Sequence, residues 1–157
     1  MNPDARSKPA GRRATPRPVR RLRCPIAYTL DVVGDRWSML ILRDMFRGRR
    51  RFAALADSVE GIPPAILTAR LRLLEHEGIV VRRMYSDHPP RAEYHLTAKG
   101  HDLGPVVGAL ATWGEKYSEH DLSIIDEECG HGLSVIYHCP TCERRAPRSR
   151  VRIVEGG

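Results

Sequence analysis

One stretch decides the fold of this chain: Gly61-Ile62-Pro63-Pro64-Ala65-Ile66-Leu67-Thr68-Ala69-Arg70-Leu71-Arg72-Leu73-Leu74-Glu75-His76-Glu77-Gly78-Ile79. Two prolines suit the first turn of a helix, where missing N–H groups cost little, and Gly78 suits the C-terminal cap. Between them, apolar side chains recur at helical spacing, at Leu67, Leu71 and Leu74. The stretch therefore predicts a helix with one face packed against a core.

The opposite face of this helix carries small or hydrogen-bonding side chains and one arginine. These residues are Pro64, Ala65, Thr68, Ala69 and Arg72. A face of this kind can approach another surface closely, as a helix in a DNA major groove must. The alternative is an ordinary amphipathic helix whose outer side chains happen to be small. The segments on either side favour the DNA-binding interpretation.

The flanking segments predict a winged helix, an α+β fold that is mainly helical. The first helix begins at Pro25, and Asp35 can cap a second, nearly all-apolar helix that should be central and buried. β-Branched and aromatic residues after Gly78 indicate two strands around a turn at 86–90. The predicted elements are helices at 25–34, 36–46 and 52–60, strands at 79–85 and 91–96, and one long helix at 98–116 that carries Val106, Leu110, Trp113 and Tyr117 at helical spacing.

Length and composition limit the possible classes of protein. A chain of 157 residues with 41% apolar residues is long enough for one domain with appendages. It contains no apolar run near 18 residues and no visible secretory signal, so we expect a protein that binds no membrane and lies in the cytoplasm. In that setting, the four cysteines are expected to be thiols or metal ligands rather than disulfides.

The positive charge is concentrated at the N-terminus. The whole chain has a formal charge of +7, and residues 1–23 alone carry eight basic residues against Asp4. Residues 1–22 also contain four prolines and almost no apolar side chain, so they are predicted to form a disordered basic arm. Such an arm fits a polyanionic partner, but it is equally compatible with a solvated leader that binds nothing.

The ordered sequence words of residues 23–118 resemble the HxlR family of winged-helix transcription regulators, which are relatives of the MarR group. The words are Cys24-Pro25-Ile26, Gly34-Asp35-Arg36-Trp37, Leu40-Ile41-Leu42-Arg43, Gly48, Arg51-Phe52-x-x-Leu55, Gly61-Ile62, Leu67-Thr68-x-Arg70-Leu71-x-x-Leu74-Glu75, Gly78, Pro89-Pro90-Arg91, Tyr94 and Leu96-Thr97-x-x-Gly100. An ordered set of this length is far more specific than any single short motif.

The resemblance implies a homodimer, paired through the first and last helices of the domain, on double-stranded DNA. Two recognition helices would enter successive major grooves, while the wings reach the flanking minor groove. Arg72 can donate two hydrogen bonds to guanine, and Thr68 can meet a base edge or a thymine methyl. Four further arginines are expected to contact phosphates: Arg49, Arg50, Arg82 and Arg91. For Arg36, Arg43 and Arg70, we expect structural ion pairs with nearby carboxylates or a solvated position instead.

Cys24 is a candidate redox-sensing residue. It directly precedes Pro25 at a predicted helix N-terminus, and Arg20, Arg21 and Arg23 stand just before it. Both the helix dipole and this positive charge favour the reactive thiolate form. Some HxlR-like regulators sense oxidants or electrophiles through a cysteine at this place, and the sequence is similar there. The alternative is an inert cysteine that packs as a small apolar residue.

Residues 119–157 are predicted to form a small zinc-ribbon-like extension. Cys139 and Cys142 have the spacing of a metal-binding turn, and Cys129 with His131 offers a shorter second half. Together they supply three sulfurs and one nitrogen, a set that suits structural Zn²⁺, with His120 and His138 as competing nitrogen donors. Strands are predicted at 133–137 and 151–154. The alternatives are free thiols, or a redox dithiol formed by the Cys-x-x-Cys pair.

These observations predict a sequence-specific DNA-binding transcription regulator that acts as a homodimer at the nucleoid. We expect it to repress transcription. A redox signal or an unidentified small ligand would modulate it. An alternative is a nucleic-acid or protein interaction module that uses the basic arm and the zinc-ribbon-like extension. An enzyme is not expected, because the sequence shows no nucleophile–base pair and no Gly-rich phosphate loop.

Overall fold

A computed structural model describes residues 24–88, 90–119 and 122–154. The predicted basic arm at 1–22 lies outside these residues, as do Arg23, Pro89 and His120. The described elements form a mixed α+β structure, with a helical domain, a two-stranded wing and a second small hairpin. The helical domain with its wing confirms the predicted winged helix.

The first four helices follow the sequence closely. They are α1 (Pro25–Val33), α2 (Arg36–Phe46), α3 (Phe52–Ser58) and α4 (Pro64–His76). The helix α2 begins where predicted because the carboxylate of Asp35 accepts the N–H groups of Trp37 and Ser38, at 3.0 and 3.1 Å. After α4 the chain turns at Gly78, whose φ of +67° lies in the left-handed region that glycine adopts most easily.

The core lies where α2, α3 and α4 meet the start of the wing. It is built from aliphatic side chains that are almost completely buried: Val33, Ile41, Leu42, Met45, Leu55, Val59, Ile62, Leu67, Leu71, Leu74, Ile79 and Val80. The three leucines that define the inner face of α4 all belong to this set, as their spacing predicts. Burial of this face fixes α4 in rotation, so its opposite face must point outward.

The wing is an antiparallel pair of strands, β1 (Val80–Asp87) and β2 (Pro90–Leu96). Its register pairs Val80 with Leu96 at the base and Asp87 with Pro90 at the tip, with an irregularity between Met84 and Ser86. The strands are longer and the turn is shorter than the sequence suggests. Proline is tolerated at the end of an edge strand, where its missing N–H breaks no ladder bond, so Pro90 extends the hairpin instead of ending it.

The base of the wing is held against the next helix, α5 (Ala98–His101), at Gly100. A Cβ atom at Gly100 would lie 2.2 Å from the carbonyl oxygen of Ile79, which is far inside van der Waals contact. The same oxygen accepts the backbone N–H of Thr97 at 3.0 Å. Only glycine therefore allows α5 to close on the chain entering β1.

The prediction of one long helix at 98–116 is wrong, because the chain forms α5 and then a separate α6 (Gly104–Tyr117). The break follows from Pro105, which lies in the first turn of α6. Inside a continuous helix, its ring would collide with the carbonyl group of His101 and its missing N–H would leave that group without a partner. A new helix starting at Gly104 avoids both costs.

The extension contains the short strands β3 (Tyr137–Cys139) and β4 (Arg144–Ala146), followed by a 3₁₀ turn at Arg148–Arg150. Both strand predictions for this part were misplaced. The range 133–137 contributes only Tyr137, and the range 151–154 forms no strand. Apolar alternation suggested these strands, but the pairing is set by the reversal at Pro140–Glu143, which brings Cys139 opposite Arg144.

Asp44 is a fully buried carboxylate on α2, near its C-terminal end. Arg43 donates two hydrogen bonds to it, each at 2.9 Å, and Arg47 lies 3.3 Å away. Burial raises the pKa of Asp44, but the hydrogen bonds from Arg43 and Arg47 outweigh it and hold the pKa below its ordinary value of 3.8. The sequence-based expectation of a structural partner for Arg43 is confirmed.

Asp44→Asn is therefore expected to lower Tm at neutral pH by about 5 °C, since the amide cannot accept both arginines as an anion does. The pKa of Asp44 is lower in the folded chain than in the unfolded chain, so the ionised carboxylate stabilises the fold at pH values above its pKa in the unfolded chain. This stabilisation is lost as the pH falls through the pKa of the folded chain. The Tm difference between wild type and variant should thus shrink below about pH 4. Calorimetry from pH 7 to pH 2 measures it, with Asp57→Asn on the exposed side of α3 as the control. A difference that stays constant with pH would contradict this role.

No helix in the described part of the chain is long and apolar enough to cross a membrane.

Candidate nucleic-acid interface

The outer face of α4 is exposed, as its sequence pattern predicts. Pro64, Ala65, Ala69 and Arg72 are all exposed, and Thr68 is half-buried between them. Because these residues recur at three- and four-residue intervals, they form one continuous strip along the helix. Arg72 is the single charged residue of this strip, and among the described residues no hydrogen bond or ion pair holds its guanidinium group.

The hydroxyl of Thr68 is partly committed to the helix itself. It donates a hydrogen bond to the carbonyl oxygen of Pro64, at 2.9 Å. In this state Thr68 presents its methyl group and an acceptor oxygen, but not a free donor, to any surface that approaches α4. Its chemistry then suits contact with a thymine methyl better than donation to a base edge.

The orientation of α4 is fixed by an ion pair to α2 as well as by the core. Arg70 lies 3.1 Å from the carboxylate of Asp35, the same residue that caps α2. One carboxylate therefore joins the start of α2 to the middle of α4. This confirms the expectation that Arg70 has a structural partner, while Arg36 stacks over the ring of Trp37 at 4.9 Å.

The turn before α3 brings a run of arginines next to the wing. Arg49 and Arg50 are exposed, and the carbonyl oxygen of Arg50 accepts the N–H of Tyr94 in β2 at 2.7 Å. The backbone of this turn thus extends the wing sheet by a short bridge at Arg51, opposite Glu93. The charge on the turn and the charge on the wing belong to one connected surface.

Arg51 holds the arginine-rich turn against the wing, although the sequence analysis did not select it as a site residue. Its Nε lies 3.0 Å from Glu93, and its guanidinium lies 5.0 Å from the centre of the Tyr85 ring. The hydrogen bond from Arg51 lowers the pKa of Glu93, and the same bond raises the pKa of Arg51. Its place in the Arg-rich turn 47–51 was the available signal, but the pairing with Glu93 spans 42 positions and has no local pattern.

Arg82 and Arg91, from opposite strands of the wing, line one groove. The groove has a volume of about 500 Å³ and lies between the wing and the start of α3. Its other lining residues include Arg51, Tyr85 and Tyr94. The structure therefore brings Arg82 and Arg91 together on a concave, basic surface that can receive a phosphate-bearing strand.

Two helices, α1 and α6, each carry exposed large apolar side chains. The helix α6 has no buried residue, and Val106, Leu110, Trp113 and Tyr117 on it are all exposed, Trp113 to 68%. On α1, the exposed apolar residues are Ile26, Tyr28 and Leu30. Several exposed large apolar side chains on one helix are typical of an interface with another protein surface rather than of a solvated face.

A neighbouring side of α6 borders a cavity of about 790 Å³, and Leu110 lies at the edge between this side and the exposed apolar one. Two of the three glycines of α6 face neighbouring apolar groups, because a Cβ at Gly104 would touch the ring of Phe46 and one at Gly108 would touch Ile124. The cavity lies between α2, α6 and residues 122–127, and its lining is mostly apolar, with Arg43 and Glu115 among the charged residues. Its volume lies within the usual range for small-molecule sites.

Cys24 is exposed and occupies the N-cap position of α1, as predicted. Its side chain makes no capping hydrogen bond. The arginines that precede it lie outside the described residues, so the predicted positive surroundings of the thiol stay a prediction. Its reactivity likewise stays a prediction.

The four proposed metal ligands lie on two separate turns. Cys129 and His131 are exposed on the first, and Cys139 and Cys142 lie on the second. Hydrogen bonds from Cys142 and Thr141 to the sulfur of Cys139 lower the pKa of that thiol. Within residues 24–88, 90–119 and 122–154, no three or more Cys, His, Asp or Glu side chains are grouped closely enough to hold a metal ion. Zinc binding therefore stays a prediction.

The chain is similar to several proteins named as HTH-type transcriptional regulators, whose own functions are uncharacterised. It is 42% identical to sll1512 of Synechocystis sp. over 98 residues, which cover 62% of this chain and 73% of that protein. It is 38% identical to YdeP of Bacillus subtilis over 96 residues, which cover 61% and 75%. With Rv3095 of Mycobacterium tuberculosis it shares 45% identity over 92 residues, 59% and 58% of the two chains.

Solved structures show the same fold. PA1607, named as a candidate transcription factor, superposes with a TM-score of 0.74 at 33% identity, over 87% of this chain and 97% of that one. The redox regulator HypR in its reduced form has a TM-score of 0.56 at 39% identity, over 59% and 92%. The profile of the HxlR-like helix-turn-helix family matches residues 32–122, from the end of α1 into the extension. The chain belongs to the HxlR-like family of helix-turn-helix transcriptional regulators.

Proposed function

We propose that this regulator binds a specific DNA sequence as a homodimer, with α4 of each protomer in a major groove. The observation that carries the proposal is the exposed strip on α4, which combines small side chains with a single unpaired arginine at Arg72. Small residues let the helix backbone approach the base edges closely, and an unpaired guanidinium can donate two hydrogen bonds to guanine. Pro64, Ala65, Thr68 and Ala69 complete this contact surface.

Phosphate contacts would surround α4 on two sides. Arg49 and Arg50 project from the turn before α3, while Arg82 and Arg91 line the groove beside the wing. Such contacts supply affinity and orientation without reading sequence, so they fit residues on a turn and a hairpin. Their joint position is held by Arg51, which ties the turn to the wing through Glu93.

The second protomer would cover the exposed apolar side chains of α1 and α6. Leu110, Trp113 and Tyr117 are more than half exposed in the single chain, so burial against a second copy would remove a large apolar area from water. A two-fold pair of recognition helices then reads two half-sites about one helical turn apart. We infer repression as the direction of control, because a dimer spread over a promoter excludes other proteins from it.

Two features suit control of this dimer by a signal. Cys24 is exposed at the start of α1, beside the proposed interface, and one relative of similar fold, HypR, is a redox regulator solved in both reduced and oxidised forms. The cavity between α2 and α6 is large enough for a small ligand. Treatment with diamide should lower DNA affinity in the wild type and leave Cys24→Ser unchanged. Equal responses of the two proteins would remove Cys24 from the mechanism.

The alternative is an interaction module that works through the basic arm and the Cys-rich extension. The two proposals differ in which part of the chain is required. Deletion of residues 119–157 should preserve specific DNA binding if α4 reads the operator, whereas the interaction module would lose its partner. The family membership and the exposed strip on α4 favour the DNA-binding regulator.

The direct test is a fluorescence anisotropy titration with a duplex taken from upstream of the gene, against a scrambled duplex, over a series of salt concentrations. We expect a preference of about a thousandfold or more for the upstream duplex. Equal and steeply salt-dependent binding to both duplexes would mean that only phosphate contacts are being measured. A folded dimer that binds neither duplex would contradict the proposal and favour the interaction module.

A further inference from the structure

The C-terminal extension has no core of its own. Residues 122–154 contain no buried side chain, and large apolar residues such as Leu133, Ile136 and Ile153 are at least half exposed. Segments of fewer than about 40 residues usually need a disulfide, a metal ion or an oligomeric partner to hold one structure. The extension is therefore a segment whose structure a disulfide, a metal ion or a partner chain would stabilise.

The first of its two turns carries Cys129 and His131. An isolated bridge joins Ile125 to Gly132, and Asp126 donates its N–H to the carbonyl oxygen of His131 at 2.9 Å. The carboxylate of Asp126 accepts the N–H groups of Glu128 and Cys129, both at 2.9 Å. These bonds shape a compact turn that holds the thiol and the imidazole two positions apart.

The second turn carries Cys139 and Cys142 between β3 and β4. Cys139 lies opposite Arg144 in the pairing of β3 with β4, and residues Pro140 to Glu143 form the reversal between the two strands. The last of these residues, Glu143, has a φ of +52° and is the one non-glycine residue in the described ranges with a positive φ. A tight chain reversal within a Cys-x-x-Cys sequence is the backbone arrangement that metal-binding turns of this kind use.

The choice among nitrogen donors follows from strand geometry. His138 lies between Tyr137 and Cys139 in β3, and neighbouring residues of a strand point to opposite faces. His138 therefore points away from the sulfur of Cys139. His131 lies two positions from Cys129 in the first turn, so it is the imidazole best placed to act with the cysteines.

We propose that one Zn²⁺ ion joins the two turns through Cys129, His131, Cys139 and Cys142. Three sulfurs and one imidazole nitrogen match the tetrahedral preference of zinc, and calcium or magnesium would require oxygen ligands instead. In the described chain, no three of these side chains lie close enough together to hold a metal ion. Metal binding would draw them together, and its free energy would replace the core that the extension lacks. This proposal does not depend on DNA binding.

The test uses the full chain, purified without any chelator. Native mass spectrometry and elemental analysis should find one zinc ion per chain in the wild type. Cys129→Ser and Cys142→Ser should lose most of it, whereas Cys24→Ser, outside the site, should keep it. Wild-type protein loaded with cobalt should show a thiolate charge-transfer absorption as strong as three sulfur ligands give, and each serine variant at equal cobalt should lose most of it together with the metal.

Thermal melting of the winged helix tests whether a variant loses the metal only because the whole chain fails to fold. The aliphatic core lies within residues 33–80, so Cys142→Ser should melt like the wild type in that transition while losing the metal. Three results would overturn the proposal: no bound metal, one metal per two chains, or a metal-free chain lighter by two hydrogen atoms. The second would indicate a site between protomers, and the third a disulfide within the chain, which peptide mapping would assign to a pair of cysteines.

Discussion

Leu110→Glu is expected to convert the dimer to a monomer and to weaken binding to the operator by at least about a hundredfold, because two linked half-sites bind far more tightly than one. Leu110 belongs to the exposed apolar residues of α6, borders the neighbouring cavity and is 52% exposed in the single chain. A glutamate there remains hydrated in the monomer. In a dimer it would be buried opposite its own symmetry mate, and two desolvated like charges cannot be tolerated.

Sedimentation or light scattering measures the mass of the variant, and anisotropy measures its affinity for DNA. Ile153→Glu is the matched control, because it makes the same change at an apolar residue that is 89% exposed in the extension. The control should remain dimeric and bind DNA normally. If Leu110→Glu stays dimeric, the interface does not use α6, and the exposed apolar residues of this helix must be explained by another partner.

The winged helix was predictable because its signals are local. Asp35 caps α2 within three residues, and Gly78 ends α4 at a position where the chain needs a positive φ. Both effects act between residues that are close together in the sequence, so they can be predicted from the sequence alone. The division of the 98–116 range was missed because the apolar spacing of Val106, Leu110, Trp113 and Tyr117 was extended back to Thr97, whereas Pro105 starts a new helix, α6.

The site was predictable only in part, for a related reason. The exposed strip on α4 follows from helical periodicity, so Pro64 to Arg72 could be selected from the sequence alone. The role of Arg51 could not, because it depends on a pairing with Glu93 in the wing. The extension was hardest, because without a core its strands are placed by the Cys139–Cys142 turn rather than by a buried face.

Arg72→Ala is expected to weaken binding to the operator by about 10- to 100-fold, which corresponds to the loss of one bidentate pair of hydrogen bonds to guanine. Binding to unrelated DNA should change little, because the outer face of α4 contributes mostly to base contacts. The fold should be unaffected, since the Arg72 side chain is exposed and the core is formed by the opposite face of the helix.

Two other arginines serve as controls for Arg72, and they separate base reading from charge and from folding. Arg82→Ala, at the wing groove, should weaken binding to both duplexes alike and reduce the salt dependence by about one phosphate contact. Arg70→Ala should instead lower Tm, because Arg70 pairs with Asp35 across α2 and α4. Titrations of the three variants with operator and scrambled duplexes distinguish the roles. If Arg72→Ala weakens both duplexes equally, Arg72 contacts the DNA backbone, and the bases are read by another part of α4.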